Sequence, residues 1–323
     1  MRIEISANEA GQRLDKFLRK LLKDVPLSAI FKALRKGDIR VNGKKQKEKY
    51  ALEIDDVVEI RYIQSKAKSE KKENFIKVDP KSIKIVFEDE NVLIVEKWPG
   101  VLVHPDAKGK EATLTDYVLS YLNAKGDYIP ENEVTFTPAP CNRLDRNTSG
   151  MVIFGKNFES LRELNSIIRE NEVKKYYLAL VKGRVKDGMM KGYIKKNEDA
   201  NISKIYDKQI PESKEIKMEV KTIESCGSFS LIEVNLITGR SHQIRAHMAH
   251  VGNPIIGDSK YGDRKLNSFF DNKYGLTFQY LYAYKLNFRE VDGKLAYLKN
   301  KTITHSLPPI FKKIKRDVFR FEI

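Results

Sequence analysis

Cysteine is nearly absent from this sequence. Cys141 and Cys226 are the only two thiols in 323 residues, which excludes a disulfide framework and any zinc site built wholly from thiolates. Long apolar runs are missing as well. No stretch is both long and hydrophobic enough to cross a bilayer, and the opening MRIEISANEAGQRLDKF meets charged residues at once, without the apolar block of a signal peptide. The expectation is a soluble, cytoplasmic chain that does not engage a membrane. Cofactor signatures are also lacking. No G-x-G-x-x-G opens a helix after a strand. Gly155-Lys156-Asn157 and Gly109-Lys110-Glu111 both break the phosphate-loop rule. His242, His247 and His250 crowd one segment, but their spacing is not H-x-x-x-H and no cysteine or carboxylate stands among them, so they read as packing or phosphate-facing residues rather than metal ligands. Neither a cofactor nor a metal is expected.

What is present is positive charge. Sixty Lys and Arg against 44 Asp and Glu give a formal net charge of +16, which suits a polyanionic partner whose neutralised phosphates release counterions. Hydrophobic residues at 41% are enough for a real core, and the length accommodates a large domain plus a small one.

Residues 1–62 read as the small domain. Leu14, Phe17, Leu18, Leu21 and Leu22 recur at helical spacing, Pro26 ends that helix, and Ser28 is placed to cap a second one that carries Ile30, Phe31 and Leu34 and stops at Gly37. Asn42-Gly43 signals a tight hairpin turn, and Val57 to Ile60 form an extended run. This is a helix pair backed by a short sheet. Arg13, Lys16, Lys32, Arg35, Lys36, Arg40 and Lys44 lie off the apolar stripe. A solvated charged face would look similar, but the frame K-A-L-R-K-G-D-I-R-V-N-G, together with R-L-D-K-F-L, resembles the alpha-L RNA-binding module over residues 11–61. That resemblance implies RNA contact through these cations.

Residues 63–82 are polar and read as a linker. From 83 to 323 short strands dominate: Ile83 to Val86, Val92 to Val95, a turn at Pro99-Gly100 into Val101 to Val103, then Met151 to Phe154, Tyr176 to Val181 and Leu231 to Ile237. Helices fit Leu114 to Leu122 and Leu161 to Ile168. Without a βαβ rhythm the class is α+β, a catalytic domain with a mixed, mainly antiparallel sheet flanked by helices. The Lys-rich stretch from Arg184 to Glu215 reads as a hairpin with a mobile tip.

One block can carry chemistry. In Asn142-Arg143-Leu144-Asp145-Arg146-Asn147-Thr148-Ser149-Gly150 a carboxylate stands between two arginines, on a polar turn that feeds a buried strand. An ionised carboxylate at a rigid strand end serves as nucleophile or base; an ordinary surface ion pair has the same spacing.

This block resembles the motif [HN]-R-L-D-x-x-T-S-G of the RluA-type pseudouridine synthases. Three further stretches resemble the family's motifs in the same order: Gly100-Val101-Leu102-Val103-His104-Pro105, Lys175-Tyr176-Tyr177-Leu178-Ala179-Leu180-Val181, and Leu236-Ile237-Thr238-Gly239-Arg240-Ser241-His242-Gln243-Ile244-Arg245-Ala246-His247, the last continued by Gly252 to Gly262. Two departures are visible, Glu96-Lys97-Trp98-Pro99-Gly100 for N-K-P-x-G and Leu281-Tyr282-Ala283 for L-H-A. The resemblance implies an isomerase that turns uridine into pseudouridine, with Asp145 attacking the target nucleotide, Tyr177 stacking on the flipped base and Arg245 pairing with the aspartate. It further implies that Arg143 enters the RNA as the uridine leaves its stack and that Leu281 lines the base pocket. Members with this N-terminal module imply large-subunit ribosomal RNA as the substrate, transfer RNA as the second choice, and a monomer. A catalytically inactive ribosome-associated RNA-binding protein is the alternative from another class; an RNA methyltransferase would need a Gly-rich nucleoside loop that is missing.

Overall fold

The computed structural model describes residues 1–63, 75–106, 109, 111–197 and 200–319. Near the N-terminus, strand β1 (Arg2–Glu4) precedes helices α1 (Leu14–Leu21) and α2 (Leu27–Lys36) and strands β2 (Ile39–Val41) and β3 (Val57–Ile60). The three strands form an antiparallel sheet in the order β1-β3-β2. The apolar stripe does what its spacing requires: Leu14, Phe17 and Leu18 of α1 and Ile30, Ala33 and Leu34 of α2 close one core with Ile39, Val41, Val58 and Ile60.

Two local expectations need correction. Helix α1 stops at Leu21, so Pro26 does not end it but stands at the start of α2, where its carbonyl accepts the N–H groups of Ala29 and Ile30 at 2.9 and 3.2 Å. A fixed φ and the missing N–H cost nothing there, and Ser28 consequently lies inside the first turn rather than at its cap. Gly37 takes the left-handed C-cap expected of it (φ 81°). Asn42 and Gly43 both have positive φ, and Val41 and Lys44 exchange hydrogen bonds of 2.9 Å across them, as a type I′ turn requires. The chain does not continue as a strand after Lys44, and β2 takes β3 as its partner instead.

The larger part holds strands β4 (Lys84–Glu88), β5 (Val92–Lys97), helix α3 (Leu114–Lys125), strands β6 (Ala139–Pro140) and β7 (Ser149–Gly155), helix α4 (Phe158–Arg169), strands β8 (Val173–Lys182), β9 (Gly188–Asn197), β10 (Ile202–Tyr206), β11 (Lys214–Cys226) and β12 (Phe229–Leu236), helices α5 (Gln243–His250) and α6 (Arg264–Tyr274), strands β13 (Leu281–Phe288) and β14 (Thr302–Thr304), and helix α7 (Pro309–Phe319). Eleven of these strands make one sheet in the order β10-β9-β11-β12-β8-β13-β7-β5-β4, with β14 on β13 and β6 on β7. Every pairing is antiparallel except β13 with β7, so the sheet is mixed and mainly antiparallel, with helices packed on it. Alternation decides the faces: Leu93, Val95, Val152 and Phe154 pack with α3, whereas Ile94, Met151 and Ile153 pack with Leu164 and Ile167 of α4. At the β7–β13 crossing Gly150 (φ 122°) is required, because a β-carbon would collide with the backbone N and O of Ala283.

Val101 to Val103 form no strand. The carbonyls of Leu102 and Val103 instead accept the N–H groups of Leu114 and Thr115 at 2.8 and 3.2 Å, so this segment serves the start of α3. Of the stretch read as a linker, 64–74 lie outside the described residues, and 75–82 pack along α3, with Ile76 N–H on Asp116 Oδ1 at 2.8 Å and Val78 N–H on Ser120 Oγ at 3.1 Å. The 184–215 stretch contains the β9–β10 hairpin, paired from Asn197–Ile202 to Tyr193–Tyr206; the tip at 198–199 lies outside the described residues.

The N-terminal part touches the larger one through polar groups. Asn8 Nδ2 donates to both carboxylate oxygens of Glu133 (2.8 and 3.0 Å), Asn8 Oδ1 accepts Phe158 N–H at 3.2 Å, and the buried Glu9 accepts Thr135 N–H at 3.1 Å.

Candidate active site

Asp145 rides on a turn pinned to β7. Cys141 N–H reaches the Ile153 carbonyl at 2.7 Å, Ile153 N–H reaches Asn142 Oδ1 at 2.8 Å, and Thr148 N–H closes the turn on the Asp145 carbonyl at 3.0 Å. The two neighbouring arginines are not its partners. Arg146 points away to Glu111 (2.8 Å) and Asp106 (3.6 Å), and Arg143 stands exposed on the rim of the cleft. Successive residues on an irregular turn face different directions, so adjacency in sequence does not produce contact. The cation that meets Asp145 comes from 100 positions downstream: Arg245 NH1 lies 2.9 Å from Asp145 Oδ2.

Arg245 is itself clamped. Its Nε and NH2 donate to Asp258 Oδ2 and Oδ1 at 2.7 and 2.9 Å, and its guanidinium lies over the Tyr261 ring at 5.2 Å. The Asp258 side chain is 0% exposed and Arg245 6%, against 25% for Asp145. Burial works against the charge on Arg245, but Asp258 and Asp145 outweigh it and raise its pKa further. Burial likewise pushes the Asp258 carboxyl up, yet Arg245 and the N–H groups of Lys260 and Tyr261 hold it below the usual carboxylate range. The result is a fixed guanidinium with one face locked to a buried carboxylate and one N–H turned to a partly open one.

Tyr177 and Leu281 belong to neighbouring strands, β8 and β13, and point to the same side. With Asp145, Arg245 and Arg143 they line one cleft of about 480 Å³. Burial, and then the charge of Asp145, push the Tyr177 phenol up, so it stays protonated at neutral pH.

The remaining sequence-derived residues lie on the N-terminal part. Lys16, Lys32, Arg35, Lys36 and Lys44 are exposed. Arg13 is held by Asp15 in a two-pronged ion pair (3.0 and 2.8 Å), and Arg40 donates to the carbonyls of Gly37 and Gly43 at 3.1 and 3.2 Å. These two cations are engaged within the chain.

Sequence reasoning missed three groups. Asp258 stands within Gly257-Asp258-Ser259-Lys260-Tyr261, where nothing signals a partner 13 residues back. His242 falls among three clustered histidines and within the Leu236 to His247 motif, neither of which gives it a role; its Nδ1 lies 2.9 Å from the Tyr261 hydroxyl. Lys97 is fully buried, and its Nζ donates to the carbonyls of Arg146 (2.7 Å) and Trp98 (2.9 Å), which ties β5 to the Asp145 turn. Burial, opposed by Asp145 and assisted by Arg146, lowers its pKa to about 7. Among the described residues no cluster of His, Cys, Asp and Glu is arranged to hold a metal ion, and no helix is long and apolar enough to cross a membrane.

A basic module thus stands ahead of a mixed sheet whose cleft offers a carboxylate, a clamped arginine and a buried tyrosine. The comparisons define the class as that of RNA-modifying isomerases. Residues 91–250 match the family model described as RNA pseudouridylate synthase, and residues 12–58 match the S4 domain. The ribosomal large subunit pseudouridine synthase C of Vibrio parahaemolyticus is 34% identical, over 89% of this chain and 88% of its own; that of Escherichia coli K12 is 33% identical over 88% of each. The solved structure of human RNA pseudouridylate synthase domain containing 4 shares the fold with a TM-score of 0.58 at 21% identity, covering 74% of this chain and 94% of its own. This chain belongs to the RNA pseudouridylate synthase family and carries an S4 RNA-binding domain.

Proposed function

We propose that this chain isomerises uridine to pseudouridine in large-subunit ribosomal RNA, with Asp145 as the attacking carboxylate, Arg245 as its positioning partner and Tyr177 and Leu281 as the walls that receive the flipped base. The observation that carries this is the Asp145–Arg245–Asp258 chain of contacts opening into one cleft with Tyr177 and Leu281. The names of the relatives support the choice of ribosomal RNA over transfer RNA.

The reaction breaks the C1′–N1 bond, turns the uracil and forms C1′–C5; the proton on C5 leaves and N1 gains one. No electron leaves or enters. Unstacking the uridine costs a few kcal/mol, and in this reading Arg143, exposed at the rim of the cleft, fills the space it vacates. Held by a buried guanidinium, Asp145 meets the substrate with little reorganisation. The exposed cations Lys16, Lys32, Arg35, Lys36 and Lys44 supply affinity through phosphates. The same reading takes residues 1–62 as the RNA-binding domain and 83–323 as the catalytic domain of a cytoplasmic monomer, with 63–82 leading between them and its 75–82 stretch packed along α3.

The test is Asp145→Ala assayed on in vitro transcribed large-subunit ribosomal RNA. Pseudouridine formation is expected to vanish while RNA affinity is kept; retained product would refute the assignment.

A further inference from the structure

His242 immediately precedes α5 with φ 57° and ψ 16°, a left-handed conformation that costs a residue with a β-carbon about 1–2 kcal/mol. Its carbonyl accepts Ala246 N–H at 2.9 Å, and its side chain is 11% exposed and lines the cleft. The Tyr261 hydroxyl accepts Ser203 N–H at 2.7 Å and lies 2.9 Å from His242 Nδ1. When the phenol gives its one hydrogen to Nδ1, the ring proton lies on Nε2. Nε2 stands 4.0 Å from Asp145 Oδ2, too far for a hydrogen bond, and among the described residues it makes none. Burial disfavours a second proton on the ring; Asp145 and Asp258 oppose this, whereas Arg245 and Lys260 reinforce it. In that tautomer a neutral N–H faces the cleft beside the carboxylate, held there by the left-handed backbone and by the Tyr261 hydroxyl.

We propose that His242 is a further catalytic residue: its Nε2–H donates to a carbonyl oxygen of the target uracil and stabilises the negative charge that gathers there during the reaction. This rests on the role of Asp145 argued above. When C1′–N1 breaks, its electron pair stays with N1 and spreads into the C2 and C4 carbonyl oxygens. If the carboxylate adds to the ring at C6 instead, the C5–C6 pair moves toward the C4 oxygen. Either route loads a carbonyl oxygen, where a fixed donor in a sheltered cleft is effective. The histidine keeps its proton throughout, so the proton lost at C5 and the proton gained at N1 balance without it.

The experiment compares H242N and H242Q in single-turnover assays on large-subunit ribosomal RNA transcribed with uridine or with 5-fluorouridine. Asparagine tolerates the left-handed backbone but is too short to reach; glutamine extends an amide N–H further out. H242N is expected to slow uridine conversion about 10²-fold with unchanged RNA affinity, and H242Q to recover part of the loss. Fluorine makes the uracil ring a better acceptor of negative charge, so the deficit of H242N in consuming the N-glycoside should shrink on the fluorinated RNA. Equal deficits on the two RNAs, a full rate in H242N, or a loss traced to weaker RNA binding would each overturn the proposal. Asp145→Ala in the same assay separates the two readings: if it stays active the carboxylate's role falls, whereas an inactive D145A beside a full-rate H242N removes only the histidine's.

Discussion

Replacing Asp258 by asparagine perturbs the centre of the site without touching the cleft. Asp258 Oδ2 accepts Arg245 Nε at 2.7 Å, and Oδ1 accepts Arg245 NH2, Lys260 N–H and Tyr261 N–H at 2.9, 2.9 and 3.1 Å. Asparagine can keep the three bonds to Oδ1, but its amide then faces Nε–H donor to donor. Removing one member of a buried pair costs about 3–5 kcal/mol. Because Asp145 still stands 2.9 Å from Arg245 NH1, the guanidinium is not left without a counter-charge, which points to the lower end, about 3 kcal/mol. At about 2 °C per kcal/mol for a chain of this size, Tm should fall by about 6 °C. The measurement belongs at neutral pH: with a native pKa below its ordinary value, the pair contributes fully above about pH 3.9 and fades as pH falls through the native value. Turnover should drop about 10²-fold, because an arginine freed on one side no longer fixes Asp145 to within an ångström. Thermal unfolding and single-turnover pseudouridylation give the two readouts. An unchanged Tm would refute the energetic argument, and a lowered Tm with an unchanged rate would refute the positioning one.

Lys97→Met tests the buried amine. The native state takes up this proton only below about pH 7, an unfolded lysine near 10.4, so between those values the unfolded chain binds the extra proton and stability climbs with pH by up to about 1.4 kcal/mol per unit. Urea unfolding across that window should show the climb in the parent and its loss in the variant; parallel profiles would rule it out. The N-terminal cations should divide into two groups when RNA affinity is titrated with salt. Lys36→Ala, removing an exposed charge, should reduce the slope of log K against log salt by about 0.9, whereas Arg13→Ala, already engaged with Asp15, should change it much less. Equal slope changes would place Arg13 on the phosphates after all.

The elements legible in the sequence were those whose signals are local. The stripe Leu14, Phe17, Leu18 made its helix, Asn42-Gly43 made its turn, and the apolar runs at Met151 to Phe154 and from Leu231 to Leu236 became central strands of the sheet. Ser28 misled because a capping residue type says nothing about a proline two places earlier that starts the helix first. Val101 to Val103 look extended by composition, but their carbonyls serve α3. In the site, the family motifs located Asp145, Tyr177, Arg245 and Leu281, and all four line one cleft. The two arginines beside Asp145 carried the wrong electrostatic argument, since its partner is 100 residues away. Asp258 and Lys97 were illegible for the same reason: a buried charge is recognised by what surrounds it in space, and no periodicity encodes that.

The contacts of Asn8 and Glu9 with Glu133 and Thr135 bear on how the two halves share an RNA. A basic module on a free tether would raise the local concentration of substrate only as far as the tether's length allows. A module seated on the catalytic part would act as a fixed jig: under the proposed function, RNA held by Lys32 and Lys36 would present the same nucleotides to Asp145 each time. Selectivity would then be partly a matter of distance along a folded RNA, and Glu133, through its two bonds to Asn8, would be one of the residues that keep the measure.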